Sequence, residues 1–283
     1  MEQALLIRYQ SILLETMRSF DAFCRRHGLR YSAAYGSAIG VVRHQGLIPW
    51  DDDMDVYMFR EDYDRFLALM GSDPQVQGKY ELVQPGTPYY VRSYAKFCDA
   101  RTTLIEDERW PFVQGVFIDV FPLDHAPADH ALVRRLQDRT SRRFGRYIRS
   151  VRRHPASEWK REKSFSGRIK LFFACVGDIL LWRPWRRCWL RQWERQVERN
   201  RHLEGPDWAP YTRHYGEFLE ILPGAWFERI EDRPFADMQV QTLCGVDPYL
   251  RSFYGDYMTP PPPEKRISTH EVFYIDLDGR SRP

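Results

Sequence analysis

The sequence predicts an α+β fold: a mixed β-sheet flanked by helices, with a basic helical module attached. Residues 2–27 repeat apolar side chains at helical spacing, and residues 29–121 hold several short apolar runs of strand character. Residues 128–201 read as arginine-rich helix, broken near His154 and Pro155. At 283 residues, 43% hydrophobic and 15% aromatic, the chain has apolar material for one large or two small cores.

The first helix rests on Leu5, Leu6, Tyr9, Ile12, Leu13, Met17, Phe20 and Cys24, with Gly28 as its stop and its apolar face turned to the sheet. A strand over 29–35 follows, then a short helix through Arg43, a turn at 46–49, and a strand bearing the acidic residues from Asp51 onward. Residues 62–70 form a helix ended by 71–74. Strands at 80–83, 89–98, 102–105 and 115–121 complete the sheet. Within the arginine-rich helices, residues 169–182 are the most apolar. That stretch is interrupted at Gly177 and Asp178 and falls short of the ~20 residues that span a bilayer. Arg168 and Lys170 precede it, and Arg183, Arg186 and Arg187 follow. It reads as a buried helix with a charged rim, a membrane-interface helix being the alternative. Residues 260–263, all proline, read as a rigid polyproline turn.

The formal net charge of +3 hides an asymmetry: residues 134–201 carry 21 of the 42 Lys and Arg but 6 of the 39 Asp and Glu. No helix-turn-helix, RNP or zinc-finger pattern accompanies these charges, which argues against a specific nucleic-acid partner. A phosphate-bearing glycan or an anionic membrane surface suits them better. The five cysteines are scattered and lack a C-x-x-C pair, so neither a disulfide framework nor a zinc site is expected. The start, Met-Glu-Gln-Ala-Leu, has no signal-peptide pattern, and a cytoplasmic protein is expected, with peripheral contact at the inner membrane face as an option.

The chemistry concentrates between Tyr35 and Tyr63. Asp51, Asp52, Asp53 and Asp55 fall within five positions beside apolar residues, and such a cluster repels itself without a cation. On a strand, Asp51, Asp53 and Asp55 would share one face while Met54, Val56 and Met58 cover the other. Oxygen donors in that arrangement suit a hard divalent metal shared with substrate phosphates. The spacing lacks the central Gly and terminal Glu of a helix-loop-helix calcium loop. Gly36 and Ser37, at the start of the short helix, are read as a place where backbone amides hold a phosphate. Asp119 sits between Ile118 and Val120 in a run apolar enough to be buried, where a carboxylate needs a partner or a metal.

The segments Gly36-Ser-Ala-Ile-Gly, Arg43-His, Ile48-Pro-Trp-Asp-Asp-Asp-Met-Asp, Arg60-Glu-Asp-Tyr and Phe117-Ile-Asp-Val-Phe-Pro-Leu-Asp together resemble the LicD family. So do Tyr254-Gly-Asp-Tyr-Met-Thr-Pro-Pro-Pro-Pro-Glu-Lys-Arg and the following His270. Where this chain has Ser37-Ala-Ile-Gly, many relatives have Thr-Leu-Leu-Gly, a change that keeps the hydroxyl and the glycines. The family includes bacterial phosphocholine transferases and fukutin-type ribitol-phosphate transferases, and its core is similar to the nucleotidyltransferase superfamily. The resemblance implies a nucleotidyltransferase-like catalytic core at 1–127, the basic helical module at 128–205, and a C-terminal segment at 206–283 that completes the active site. It implies transfer of phosphocholine from CDP-choline to a hydroxyl of a cell-surface glycan, such as lipopolysaccharide or teichoic acid, or of its lipid-linked precursor, with release of CMP. CDP-ribitol or CDP-glycerol is the alternative donor, and a non-catalytic glycan- or nucleic-acid-binding protein the alternative class. Asp53, Asp55 and Asp119 would hold Mg²⁺ or Mn²⁺, with Asp119 either a ligand or the base for the attacking hydroxyl. Arg43 and Lys96 would serve the substrate phosphates, Asp51 would take part in substrate binding, His44 and His270 are basic by type, and Lys265 and Arg266 would close over nucleotide or acceptor.

Overall fold

The computed structural model describes residues 2–212, 219–268 and 272–280. The chain begins with α1 (Gln3–Arg26), β1 (Ser32–Ala33), α2 (Tyr35–Ile39), β2 (Asp55–Phe59) and α3 (Arg60–Met70). It continues through β3 (Tyr80–Val83), β4 (Ala95–Asp99), β5 (Thr103–Ile105) and β6 (Phe117–Ala126). Four helices then follow: α4 (His130–Val151), α5 (Ala156–Arg161), α6 (Phe165–Gly177) and α7 (Arg186–Arg201). The last part holds β7 (Asp207–Ala209), β8 (Ile230–Phe235), β9 (Met238–Leu243), α8 (Val246–Tyr254) and β10 (Tyr274–Asp276).

The sheet has the order β1-β2-β6-β4-β3, with β7 joining the far end of β6. It is mixed, as expected: β2 and β6 run parallel, and the other pairs are antiparallel. A parallel pair lies inside a sheet covered on both faces, and every residue of β2 and every residue of β6 but His125 is buried. On α1 the apolar repeat places Tyr9, Leu13, Met17, Phe20 and Cys24 on one buried face over β4 and β6. Phe20 meets the rings of Tyr31, Phe66 and Phe97 edge-on, at centroid distances of 5.2, 5.8 and 5.6 Å.

Several boundaries differ from the sequence reading. The strand expected over 29–35 shrinks to Ser32–Ala33, because Tyr35 takes a positive φ of 48° and opens α2. The strand expected from residue 89 starts at Ala95: Tyr89 has φ 65°, and the Tyr90 amide turns back to the Thr87 carbonyl at 3.1 Å. After α2 the backbone continues as one wider turn, a π-helix over Gly40–His44, before the loop that carries the aspartates. A Cβ on Gly40 would lie 2.6 Å from the Gly46 carbonyl oxygen, so the loop's path requires glycine there. Gly40→Ala is therefore expected to cost about 1–3 kcal/mol through forced displacement of backbone, a fall in Tm of roughly 3–10 °C for a chain of this size, read by thermal unfolding.

In the basic module α4 and α7 pack together around Phe144, Tyr147, Val151 and Trp193. Asn200 donates to Thr140 Oγ1 at 3.1 Å and accepts from Gln196 at 2.8 Å, giving the interface a polar register. The expected break holds: α4 ends at Val151, and α5 starts after Pro155. The apolar segment 169–182 corrects the expectation of burial. No residue of α6 is buried, and Phe172 and Phe173 stand 54% and 66% exposed. The segment is fixed from its polar side instead: Asp178, 2% exposed, accepts from Arg149 Nε at 3.0 Å and faces His154 Nε2 at 3.0 Å. The ion pairs hold the one acidic residue inward, which leaves the apolar residues outside. Among the described residues no helix is long and apolar enough to cross a membrane.

The C-terminal elements share the core of the sheet and α1, through Phe235, Val240, Leu243, Val246, Tyr249 and Leu250. The Tyr35 amide donates to the Tyr249 hydroxyl at 2.8 Å, which ties α8 to the start of α2. β10 pairs with β5.

Candidate active site

Three adjacent strands bring three chemical groups into one row. Asp55 on β2 pairs in register with Asp119 on β6, and Asp119 pairs with Lys96 on β4. Register partners on adjacent strands point to the same face and lie about 5 Å apart. All three are buried, Lys96 to 1%. The sequence reading of Lys96 as a site residue and of Asp119 as a buried strand carboxylate thus meets in a single cluster.

Lys96 Nζ lies 3.3 Å from Asp119 Oδ1, 3.0 Å from Glu106 Oε1 and 3.1 Å from the centroid of the Phe117 ring. Glu106, which the sequence reading missed, also accepts from Arg92 at 2.7 Å and from Gln114 at 3.0 Å. Burial by itself would raise the Glu106 carboxyl, but Lys96 and Arg92 overrule it and hold the group well below the usual carboxylate range. Asp119 goes the other way. Burial raises it, Lys96 only partly offsets this, and the Glu106 charge adds to the rise. Tyr94 donates to Asp119 Oδ2 at 3.1 Å, while among the described residues buried Oδ1 accepts no hydrogen bond and lies 3.3 Å from the Lys96 ammonium.

The aspartate loop is set from three sides. Gln10 of α1 donates to the carbonyls of Ile48 and Asp51, at 3.2 and 2.7 Å. Ser37 Oγ accepts the Asp55 amide at 2.7 Å, so the Gly-Ser motif positions the first residue of β2. Ser268 donates to Asp52 Oδ2 at 2.7 Å, bringing the C-terminal segment onto the loop. Asp51 and Asp53 precede β2 rather than lying on it, which corrects the expectation of a strand alternation from Asp51 to Asp55: regular pairing starts only at Asp55. Burial first, then the charges of Asp52, Asp53, Glu106 and Asp119, raise the Tyr9 hydroxyl well above its usual range. The Gly36 Cα faces the Asp51 carboxylate, 3.0 Å from where a Cβ would be, so the start of α2 is met by an anion of the chain itself.

The remaining candidates form a basic corner beside the loop. Arg43 Nε donates to His44 Nε2 at 3.0 Å, and its guanidinium also reaches the Tyr257 carbonyl. Arg266 lies over the Trp50 ring at 5.4 Å. Burial, then the Arg266 charge, lowers Arg43, and burial, then Arg43, lowers His44. A second guanidinium beside Arg43 makes this corner a place suited to an anion. Lys265 ends an exposed turn nearby, Pro263–Lys265. His270 lies outside the described residues.

Asp55 and Asp119, with Asp53 at the end of the loop, present the hard oxygen donors that Mg²⁺ or Mn²⁺ prefers. Among the described residues no three His, Cys, Asp or Glu side chains gather into a preformed shell. Mg²⁺ is typically held by one or two carboxylates and completes its octahedron with water and substrate phosphates. The underbonded Asp119 Oδ1 and the row it shares with Asp55 fit that kind of site.

Not every motif residue serves this cluster. Arg60 grips Asp124 through two hydrogen bonds, 2.7 and 2.8 Å, which clamps the start of α3 to β6. A cavity of about 350 Å³ opens beside Glu106 and Phe117, lined also by Tyr9, Asp52, Arg92 and Trp110.

Strand register, the loop and the buried lysine together lie in a stretch with a family signature: residues 28–148 match the family described as LicD/FKTN/FKRP, nucleotidyltransferase domain, and the chain carries a LicD-family domain there. Over 282 residues the chain is 26% identical to the lipopolysaccharide cholinephosphotransferase LicD of Haemophilus influenzae, an alignment covering 95% of this chain and 97% of that protein. Shorter matches reach uncharacterized proteins of Rickettsia typhi, 33% identical over 58 residues, and Rickettsia prowazekii, 36% over 50. Those cover 20% and 18% of this chain, and 19% of each of the other proteins.

Proposed function

We propose that the chain is a LicD-type phosphotransferase that moves phosphocholine from CDP-choline to a hydroxyl of a cell-surface glycan or its lipid-linked precursor, releasing CMP. The observation that carries this reading is the buried row Asp55–Asp119–Lys96 at the edge of the aspartate loop. The name of the Haemophilus influenzae relative supports phosphocholine and lipopolysaccharide as the chemical context. A divalent cation on Asp53 and Asp55, with Asp119 either completing its shell or acting as the base, would supply charge neutralisation at the transferred phosphate.

In the transfer, an acceptor oxygen bonds to the choline-bearing phosphorus as the bond from that phosphorus to the CMP oxygen breaks. The chain's own part is to place the reactants and balance charge, which dominates phosphoryl-transfer catalysis. Arg43 and Arg266 take donor phosphate oxygens at the basic corner. Asp119, raised by burial, is suited to accept the hydroxyl proton. A pure anion-binding protein would gain nothing from this many converging carboxylates. Five free cysteines agree with work in the cytoplasm.

The deciding experiment offers CDP-choline, CDP-ribitol and CDP-glycerol in turn, with Mg²⁺ or Mn²⁺ and crude glycan, and measures CMP release. Release with CDP-choline alone is expected. Release only with another donor reassigns the alcohol, and none with any donor and metal overturns the enzyme reading. Asp119→Asn separates its two roles: activity recovered in part by raising Mg²⁺ marks a ligand, whereas a loss of about 10²–10⁴-fold that metal does not recover marks the base. Unchanged activity would make Asp119 structural.

A further inference from the structure

We propose that the face made by α6 and the turns leading into α7 docks on an anionic lipid surface, which brings the open end of the active-site cleft to the membrane. Eight of the thirteen exposed large hydrophobic side chains among the described residues fall within residues 165–185. Phe165, Phe172, Phe173, Leu180, Leu181 and Trp185 are each 54–80% exposed. Monomeric proteins scatter such residues singly, and a contiguous set marks an interaction surface. Nor is the exposure a matter of loose packing. Asp178 is pinned inward by Arg149 and His154, and that pin sets the outward direction of its apolar neighbours.

Charge selects the partner. Residues 160–191 hold nine Lys and Arg against Glu162 and Asp178, the latter buried in its ion pairs. A second copy of this chain would bring the same positive rim to the contact and be repelled. An anionic lipid surface satisfies both features at once, receiving the apolar side chains between its headgroups and the cations against them. Beside the patch, Arg153, Arg183, Arg186 and Arg187 line a hollow of about 710 Å³, shaped for anionic groups. A separate cleft of about 1040 Å³ runs from Glu106 past Arg109 and Arg161 to Lys170, Leu171 and Ala174 of α6. A substrate anchored in the bilayer at α6 therefore has a path to the neighbourhood of Lys96. Use of that path rests on the glycan-acceptor reading; the docking does not.

The test is co-sedimentation of the full chain with vesicles of phosphatidylcholine alone or mixed with phosphatidylglycerol, at low and high salt, alongside light scattering. The exposed sites tolerate substitution, and circular dichroism verifies the fold. Wild type is expected to sediment with the anionic vesicles and far less with neutral ones. Phe172→Ser with Phe173→Ser and Leu180→Ser should lose binding to both. Arg183→Gln with Arg186→Gln and Arg187→Gln should lose about fivefold per arginine, on the order of 100-fold together, on anionic vesicles. CMP release with a soluble acceptor should be unchanged in both variants, so failure of docking is read separately from failure of the enzyme reading. Wild type that stays in the supernatant overturns the proposal. So does a dimer in light scattering that the serine variant dissociates without any vesicle binding, which would make the face a contact between copies.

Discussion

Asp55→Asn is expected to reduce transfer by on the order of 10³-fold or more while leaving the protein folded, and Asp53→Asn to do nearly as much. The magnitude follows from the several kcal/mol of charge stabilisation that a bound cation gives to a phosphate under attack, each 1.36 kcal/mol being tenfold in rate. Asparagine keeps the shape, and the Asp55 amide that donates to Ser37 is backbone and remains. Without divalent metal, removing a negative charge from beside Asp119 relieves repulsion, so Tm should be unchanged or higher. With metal, wild type should gain stability as ligand binding to the native state demands, and the variants should gain less. Thermal unfolding with and without Mg²⁺, paired with CMP release at saturating donor, reads both effects. A variant with near wild-type turnover would remove the carboxylates from the chemistry.

How far the sequence reached depended on the range of each interaction. Period-3.6 spacing identified α1 because the eight apolar positions it was read from lie in one local repeat. Asp119 was legible because an acid between Ile118 and Val120 contradicts its surroundings. Glu106, Arg92 and Tyr94 were not, since what makes them part of the site is a contact across strands and loops: Glu106 with Lys96, Arg92 with Glu106, and Tyr94 with Asp119. No local pattern encodes that. The alternation assigned to Asp51, Asp53 and Asp55 failed for a related reason: a period of two is shared by a strand and by an extended loop, and the chain joins β6 only where the Met54 carbonyl accepts the Asp119 amide at 2.8 Å and regular pairing starts at Asp55. The apolar stretch of residues 169–182 was expected inside because composition does not reveal direction. His154 and Arg149, distant in sequence, turn Asp178 inward and so decide it.

Lys96→Met should be the most damaging single change to stability. The ammonium is buried to 1% and is the cation shared by Glu106 and Asp119. Methionine fills about the same volume but takes the ammonium from buried Asp119 and half-buried Glu106; Glu106 keeps Arg92, and Asp119 keeps the Tyr94 hydroxyl. Removing one member of a buried ion pair costs about 3–5 kcal/mol, a fall in Tm of roughly 6–20 °C here. The pH dependence carries the sign. Burial already raises Asp119, and loss of Lys96 raises it further, so the native state of the variant binds a proton more tightly than the unfolded chain. Stability from that proton is complete below the unfolded carboxylate range and drains away as pH rises through the raised native value. The deficit relative to wild type should therefore be smaller near pH 5 than near pH 8. Glu106→Gln added to Lys96→Met removes the carboxylate whose charge raises Asp119 and should recover part of the loss at neutral pH, because coupled neighbours are not additive. Thermal melts of the three proteins across that pH range, in the absence of divalent metal, supply the comparison. A deficit that is small and flat with pH would mean the lysine is not the counter-charge that keeps Asp119 ionised, and the row Asp55–Asp119–Lys96 would lose its electrostatic basis.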